Sequence, residues 1–311
     1  MSPDDVSAVV VTYNSAAEID NCLRSLDNIP EIVVVDNGST DQTREVVGRL
    51  RKGVRLIANP ENRGFAGAAN QGIKATTGPL VLFLNPDAAL ETDLRPLLEQ
   101  LEDRDVGAAA GRLVDETGRT QAGFNIRAFP SAATLAFDTL LLNRIWPGNP
   151  VNRRYRCLDL DYGRVQNVDQ PAGAFLMVRR AVLEAVGGWD ERFFPLWFED
   201  VDLCQRIRRA GFFICYAPAC VARHRGGHSL AAISLEQRQV YWYGSLLSYA
   251  DKYFSPAARG GMRAWVILGA LLRMLGAMGR GETWQFYGKV MGLALRRRTR
   301  EARQVQPHAL T

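Results

Sequence analysis

Four short apolar runs, each followed by a polar cluster, constrain this chain more than any other feature. Ser7–Thr12, Glu31–Val35, Val54–Ala58 and Leu80–Leu84 are rich in Val, Ile and Leu. Continuous runs of this kind suit strands buried on both faces, as in a parallel sheet. Segments with helical spacing lie between them. Ala16–Leu26 puts Ile19, Cys22, Leu23 and Leu26 on one face; a second, which Ser39 or Thr40 is placed to cap, runs to Leu50; a third is Gly67–Ala75. The order β-α-β-α-β-α-β predicts a Rossmann-like α/β layer. Ligands of such layers gather beyond the carboxyl ends of the strands. Those ends carry Tyr13-Asn14, Asp36-Asn37, Asn59-Pro60-Glu61-Asn62 and Asn85-Pro86-Asp87, which packing alone does not require. No G-x-G-x-x-G follows the first strand and no P-loop motif occurs, so the ordinary dinucleotide and P-loop readings lack their main support.

Beyond Gly107 the pattern loosens, and Pro130, Pro147 and Pro150 mark loops. Gln170–Arg179 reads as a strand with a glycine kink and Val182–Val186 as a short helix. Glu199–Ala210 is an amphipathic helix that Gly211 stops, Phe212–Tyr216 is a strand leading to His224, and the chain is helical from Leu235.

Three clusters carry candidate chemistry. Asp36 and Asp87 sit at strand ends, where a carboxylate either caps a turn, accepts an N–H from a base or binds a hard divalent cation. Trp197-Phe198-Glu199-Asp200-Val201-Asp202 packs three acids at a helix start beside aromatics. That is either dipole-favoured helix chemistry or a general base against a sugar-sized surface. His224-Arg225-Gly226-Gly227-His228-Ser229 holds two of the three histidines. A zinc site would need a third local ligand, and none is present there.

Charge is unevenly placed. Of a net +5, residues 262–300 hold eight basic residues and one acid, while the rest has 30 basic against 32 acidic. A nucleic-acid groove needs basic charge on the body as well, so a nucleic-acid partner is not expected. The five cysteines show no metal or disulfide spacing and read as buried thiols in a reducing compartment. The acidic, polar N-terminus does not read as a signal peptide, and the longest purely apolar run, Ala264–Leu272, is short for a bilayer. The expectation is a cytoplasmic protein without a transmembrane helix.

In order and spacing these stretches resemble the inverting, GT-A-fold glycosyltransferases of family 2, in particular their rhamnosyltransferase-like branch. The residues that carry the resemblance span roughly residues 7–230. They are Val9–Asn14, Val33–Asp41, Asn59–Asn70, Phe83–Ala88, Gly173–Arg180, Gly188–Phe194, Glu199–Cys204 and the His224-x-x-Gly227-x-Ser229 pattern. The resemblance implies a mixed, mostly parallel α/β sheet with flanking helices and a C-terminal helical extension. It divides the chain into a nucleotide-sugar half at 1–115, an acceptor-binding and catalytic half at 116–234, and the extension at 235–311.

The roles it implies are as follows. The backbone near Thr12, Tyr13 and Asn14 and the side chain of Asp36 hold a pyrimidine base. Asn62, Arg63 and Gly64 line the nucleotide pocket, with backbone amides of Gly64–Gly67 facing the nucleotide. Asn85 and Asp87 stand where the family carries Asp-x-Asp, with an amide replacing the first acid. Asp87 and His224 hold Mg²⁺ or Mn²⁺ on the diphosphate. Asp200 is the base, helped by Glu199 and Asp202, and the acceptor meets Trp189, Asp190 and Trp197. One base suffices for single displacement with inversion, unlike the paired carboxylates of hydrolases. The implied activity moves a sugar, L-rhamnose from dTDP-rhamnose by branch resemblance, to a saccharide or polyprenyl-diphosphate-linked acceptor in polysaccharide synthesis. A UDP-linked galactose, N-acetylglucosamine or galactofuranose donor is the alternative, and a non-catalytic nucleotide-sugar-binding or scaffold protein is the alternative of another class.

The segment 262–300 mixes apolar residues such as Trp265, Leu268, Leu272 and Trp284 with its basic residues. It reads either as helices packed on the body or on a second subunit of a homodimer, or as an attachment to the anionic inner face of a membrane. In the membrane reading Arg263, Arg273 and Arg296–Arg298 meet headgroups.

Overall fold

The computed structural model describes residues 1–50, 53–226, 233–279 and 283–296. His228, Ser229, Gly227, Arg280, Arg297, Arg298 and Arg300 lie outside the described residues.

The four apolar runs form strands β1 (Val6–Thr12), β2 (Glu31–Asp36), β3 (Val54–Ala58) and β4 (Leu80–Leu84). They pair in parallel in the order β3-β2-β1-β4, with Val9 opposite both Val33 and Phe83. The connecting helices are α1 (Ile19–Ser25), α2 (Thr43–Leu50) and α3 (Gly64–Ala75). Two boundaries differ from expectation. Helix α2 starts at Thr43, because Ser39 and Thr40 are committed to Asn14: Asn14 N donates to Ser39 Oγ at 2.9 Å and Thr40 N to Asn14 Oδ1 at 2.8 Å. Helix α3 starts three residues early at Gly64, whose φ of +73° suits glycine and whose Cβ would lie 2.9 Å from the Phe194 ring.

The second half of the chain extends the same sheet. Strands β5 (Ala88–Leu90), β6 (Val106–Val114), β10 (Phe175–Arg179) and β11 (Phe213–His224) complete the order β3-β2-β1-β4-β10-β6-β11-β5, with β8 (Gln166–Asn167) on β11. Strand β10 is antiparallel to β4 and β6, and β11 is parallel to β6. The expected strand at Phe212–Tyr216 is thus part of one strand that runs on to His224. A separate ribbon joins β7 (Ile126–Arg127) to β9 (Gln170–Pro171). Helices α4 (Arg95–Gln100), α8 (Arg180–Val186) and α9 (Glu199–Arg209) flank the sheet.

Apolar side chains cover both sheet faces. Ile19, Leu23, Leu82 and Leu97 belong to one buried cluster, and Phe83, Trp189, Leu203 and Tyr216 to another. Each such side chain contributes about 1.5–3 kcal/mol by leaving water. Two-sided burial of this kind explains why the strand sequences do not alternate.

The chain forms two compact units, 1–129 with 153–233, and 130–152 with 234–311. Residues 130–152, inside the segment read as the second half of the catalytic domain, therefore group with the C-terminal helices. The second unit holds α5 (Ala132–Thr139), α6 (Leu142–Ile145), the start of α7 (Pro150–Tyr155), α10 (Leu235–Tyr253), α11 (Pro256–Gly279) and α12 (Phe286–Leu295). A capping box opens α10: Gln237 N donates to Ser234 Oγ and Ser234 N to Gln237 Oε1.

Helix α11 corrects the expectation of no segment long enough to span a bilayer. At 24 residues it is long and apolar enough by length and composition, about 36 Å at the α-helical rise. A search for an unbroken apolar run misses it because Arg263 and Arg273 interrupt the sequence. Of the two readings of this segment, the partners of those two guanidiniums fit packed helices. Arg263 pairs with Asp251 and donates to the carbonyls of Ala294 and Arg296. Arg273 donates to the carbonyls of Thr139, Asp138 and Gly269.

Candidate active site

Sheet pairing brings Asp87 and His224 together. Strand β5 begins immediately after Asp87, and its antiparallel register on β11 sets Ala88 opposite His224. Both side chains are buried, with His224 Nε2 at 3.5 Å from Asp87 Oδ1. The other ring nitrogen, Nδ1, lies 2.9 Å from Gln121 Oε1, while Gln121 Nε2 donates to the His224 carbonyl at 2.7 Å. That second bond fixes the amide's orientation, so Gln121 Oε1 is an acceptor and Nδ1 carries the proton. In a neutral ring Nε2 then turns a lone pair toward the Asp87 carboxylate. Two acceptors face each other there, an arrangement that fits a cation with mixed nitrogen and oxygen preference. Phe124 stacks on the imidazole at 5.1 Å with 10° between planes. Burial pushes the Asp87 carboxyl up; donation from a protonated Nε2 of His224 and from the Gly226 amide outweighs burial and holds the group below the usual carboxylate range, whereas the neutral ring leaves the two acceptors facing. Among the described residues no group of three His, Cys, Asp or Glu side chains converges. A cation held by Asp87 and His224 would take its remaining ligands from elsewhere, as a diphosphate provides.

Asp200 opens α9. Its Oδ2 accepts from Gln170 Nε2 at 3.0 Å and from Gly173 N at 3.3 Å, and its Oδ1 from Val201 N at 2.8 Å. The close approach depends on glycine: a Cβ at position 173 would stand 3.2 Å from Asp200 Cβ and 3.3 Å from Trp189 Cη2. Burial raises the Asp200 carboxyl above its ordinary value, against the opposing charge of Arg127 and the Gly173 and Val201 amides. Glu199 goes much further: burial first, then the Asp200 charge, push it well above the carboxylate range, and its buried Oε2 has no partner. Neighbouring carboxyls with separated proton affinities can divide acid and base roles. Two left-handed residues, Trp197 at φ +74° and Phe198 at φ +69°, precede the helix. Strain of this kind, about 1–3 kcal/mol per residue, clusters at functional sites.

Asp202, expected as a helper, has another task. It is fully buried against Arg206 at 2.7 Å, and Arg206 also donates to the carbonyls of Val186 and Gly188. The pair ties α9 to the turn after α8, and Asp202 lies about 200° round the helix from Asp200.

At the nucleotide end, several of the expected groups are already engaged within the protein. Asp36 is fully buried: its carboxylate takes Arg44, Ser39 N at 3.2 Å and Thr12 Oγ1 at 3.3 Å. Asn14, left-handed at φ +52°, braces the loop at 39–41 through its side chain. The first amides of α3 do not face outward, because Gly64 N donates to Asn62 Oδ1 at 2.8 Å and Phe65 N to the Pro195 carbonyl at 2.8 Å. Asn62 is locked further by Asn37 Nδ2 at 3.0 Å, and Asn37 Oδ1 accepts from Arg63 N at 2.9 Å. Arg63 is exposed, and Tyr13 and Asn85 are partly exposed.

On the acceptor side, Trp189 is core rather than surface. It is 2% exposed, meets Phe65 and Phe83 edge-on at 5.1 and 5.0 Å, and is pinned through its backbone by Asn70. Asp190 forms a two-toothed ion pair with Arg192. Trp197 is partly exposed and stands two residues before Glu199.

Sequence reading missed Gln121, Phe124, Arg127, Gln170 and Gly173. The first three lie in an irregular stretch with no periodic signal. The register of β7 on β9, which sets Arg127 opposite Gln170, is legible only in three dimensions.

Comparison with known proteins agrees with this geometry. The family model for glycosyl transferase family 2 matches residues 7–187. An N-acetylglucosaminyl-diphospho-decaprenol L-rhamnosyltransferase of Mycobacterium tuberculosis is 28% identical over 290 residues, 86% of this chain and 91% of that protein. Among solved structures, a mannosyltransferase, PcManGT, from Pyrobaculum calidifontis in complex with GDP-Man and Mn²⁺ superposes with a TM-score of 0.53. It is 18% identical, covering 94% of this chain and 86% of that one. S. aureus TarS 1–349 superposes with a TM-score of 0.51 at 18% identity, covering 92% and 90%. The fold is that of the GT-A glycosyltransferases. With more than half its length matched by the family model, and with paired acids at the expected strand and helix ends, the chain belongs to glycosyl transferase family 2.

Proposed function

We propose that this protein is an inverting glycosyltransferase that uses a divalent cation and a pyrimidine nucleoside-diphosphate sugar. The observation that carries the reading is the pair of held acids, Asp87 facing the His224 ring nitrogen and Asp200 held by three N–H donors. Asp87 and His224 would hold Mn²⁺ or Mg²⁺, which supplies positive charge against the leaving diphosphate. Asp200 takes the proton of the acceptor hydroxyl as that oxygen attacks the anomeric carbon from the face opposite the leaving group. Burial first, then the Asp200 charge, raise Glu199 well above the carboxylate range, which favours its neutral form beside the base.

Two donors have specific support. GalNAc-T7, solved with UDP, GalNAc and Mn²⁺, superposes with a TM-score of 0.56 at 13% identity, covering 91% of this chain and 56% of that one. S. aureus TarS 1–349, solved with UDP-GlcNAc, superposes with a TM-score of 0.52 at 17% identity. These two favour a UDP-sugar. dTDP-rhamnose follows from the L-rhamnosyltransferase relative, whose name also gives a polyprenyl-diphosphate acceptor. Thermal shift and donor hydrolysis across UDP- and dTDP-sugars, with and without Mn²⁺, separate them. A shift confined to one nucleotide identifies the donor, and no shift with any of them overturns the reading.

A lipid-linked acceptor calls for a membrane surface, and the second unit offers a suitable face. The side of α11 opposite its buried residues exposes Leu268, Leu271, Leu272, Leu275 and Met278. On α6 and just after it, Ile145 is 79% and Trp146 61% exposed beside Arg144. No acid occurs from Leu140 to Arg156 or from Ser255 to Gly281. An apolar stripe with only basic charge suits the anionic inner face of a cell membrane in peripheral contact. Flotation with phosphatidylglycerol vesicles is expected for the wild type and lost in Leu272→Asp/Leu275→Asp. Equal flotation of the variant contradicts the surface. Resistance of bound protein to carbonate extraction contradicts peripheral contact in favour of α11 spanning, and a concentration-dependent dimer lost in the same variant assigns the stripe to a second copy.

A further inference from the structure

Gln170 is a costly residue where it stands. It is 1% exposed, its Nε2 is shared between Asp200 Oδ2 and the Pro171 carbonyl at 3.0 Å each, and its buried Oε1 has no partner. An unsatisfied buried carbonyl costs about 1–3 kcal/mol. A methionine of similar volume fills the same space without that cost. What the amide does that methionine does not is hold Asp200. Across the ribbon, the register of β7 on β9 sets Arg127 opposite Gln170. The Arg127 side chain is itself held, with Nε donating to the Gly123 carbonyl at 3.0 Å and the guanidinium 5.5 Å from the Phe124 ring centre. Phe124 in turn stacks on His224. The stretch from Gln121 to Arg127 thus touches the Asp87–His224 pair at one end and stands beside Gln170 and Asp200 at the other.

We propose that Gln170 and Arg127 are positioning residues for Asp200, the amide fixing the carboxylate's orientation and the guanidinium supplying its counter-charge. The inference rests on Asp200 being the base. The charged and titratable groups around Asp200 are Glu199 beside it, Arg127 from β7 and Cys204 on the next turn of α9; Asp202 is committed to Arg206. Removing the Arg127 charge leaves burial opposed only by the N–H donors, so proton loss from Asp200 requires higher pH.

The test measures transfer kinetics against pH for Gln170→Met, Arg127→Met and Arg127→Lys, with thermal stability recorded for each. Gln170→Met is expected to lower kcat about 10- to 100-fold through misorientation, with donor KM nearly unchanged. Arg127→Met is expected to move the acid limb of kcat up by about one pH unit, and Arg127→Lys to restore it. Wild-type kcat and an unmoved acid limb in folded Gln170→Met and Arg127→Met overturn the inference. If Gln170→Met does not fold, the Arg127→Met and Arg127→Lys pair decides it alone. Asp200→Asn separates the two levels: an inactive Asp200→Asn with unaffected positioning variants refutes only this inference, whereas an active one refutes the base itself.

Discussion

His224 turns Nε2 toward Asp87 Oδ1 at 3.5 Å while Gln121 holds its opposite nitrogen. The tautomer is set from outside the pair, by an amide whose own orientation is fixed by the His224 carbonyl. Groups that orient a metal-binding histidine in this way typically contribute about 10- to 100-fold in metal affinity. Gln121→Leu should weaken Mn²⁺ binding, measured by titration calorimetry or EPR, by that order. Unchanged affinity would mean that the tautomer does not matter or that the metal sits elsewhere.

Glu199 predicts how stability responds to pH. Its folded-state proton affinity lies well above the unfolded value, so folding favours the protonated form. Its contribution is fully present below the ordinary carboxylate pKa and is lost as pH rises through the raised folded value. Glu199→Gln should flatten this decline: its Tm gain over wild type grows with pH and vanishes in acid. A gain that is the same at every pH would place the effect elsewhere.

Asp202 and Arg206 are assigned to architecture, not chemistry. Breaking a buried pair from one side costs about 3–5 kcal/mol. Asp202→Ala should show a loss of that order in denaturant unfolding, with folded protein retaining kcat near wild type. A large kcat defect in stable protein would return Asp202 to the reaction.

Gly173 lets Asp200 approach the kink between β9 and β10. Gly173→Ala introduces a Cβ 3.2 Å from Asp200 Cβ and 3.3 Å from the Trp189 ring. Overpacking of this kind costs about 1–3 kcal/mol, and here it also disturbs the N–H that Asp200 accepts. Both Tm and kcat should fall. A neutral substitution would show that the kink relaxes freely.

The parallel half of the sheet is legible in the sequence because β1 to β4 are buried on both faces, and such strands spell continuous apolar runs. Asp87 is legible as an acid just beyond the fourth of those runs, Asp200 as one of three acids at a helix start, and His224 as one of a close histidine pair. The rest depends on long-range geometry. Nothing local shows that Asp36 is filled by Arg44, eight residues away around the α2 turn. The burial of Trp189 comes from Phe65 and Phe83 on distant segments, and the identity of Gln170 as a partner of Asp200 comes from a two-residue ribbon. Helix α11 escapes an apolar-run search because arginines interrupt it, and where two of them, Arg263 and Arg273, find partners inside the second unit is visible only in three dimensions.

Asp200 is the residue on which the proposed chemistry depends most directly. Single-turnover transfer by wild type and Asp200→Asn, at matched donor occupancy and with Mn²⁺ present, isolates the proton transfer from binding. The variant should bind donor with wild-type affinity and transfer about 10²- to 10⁴-fold more slowly, the usual contribution of a general base. Transfer by Asp200→Asn at the wild-type rate would contradict its role as the base.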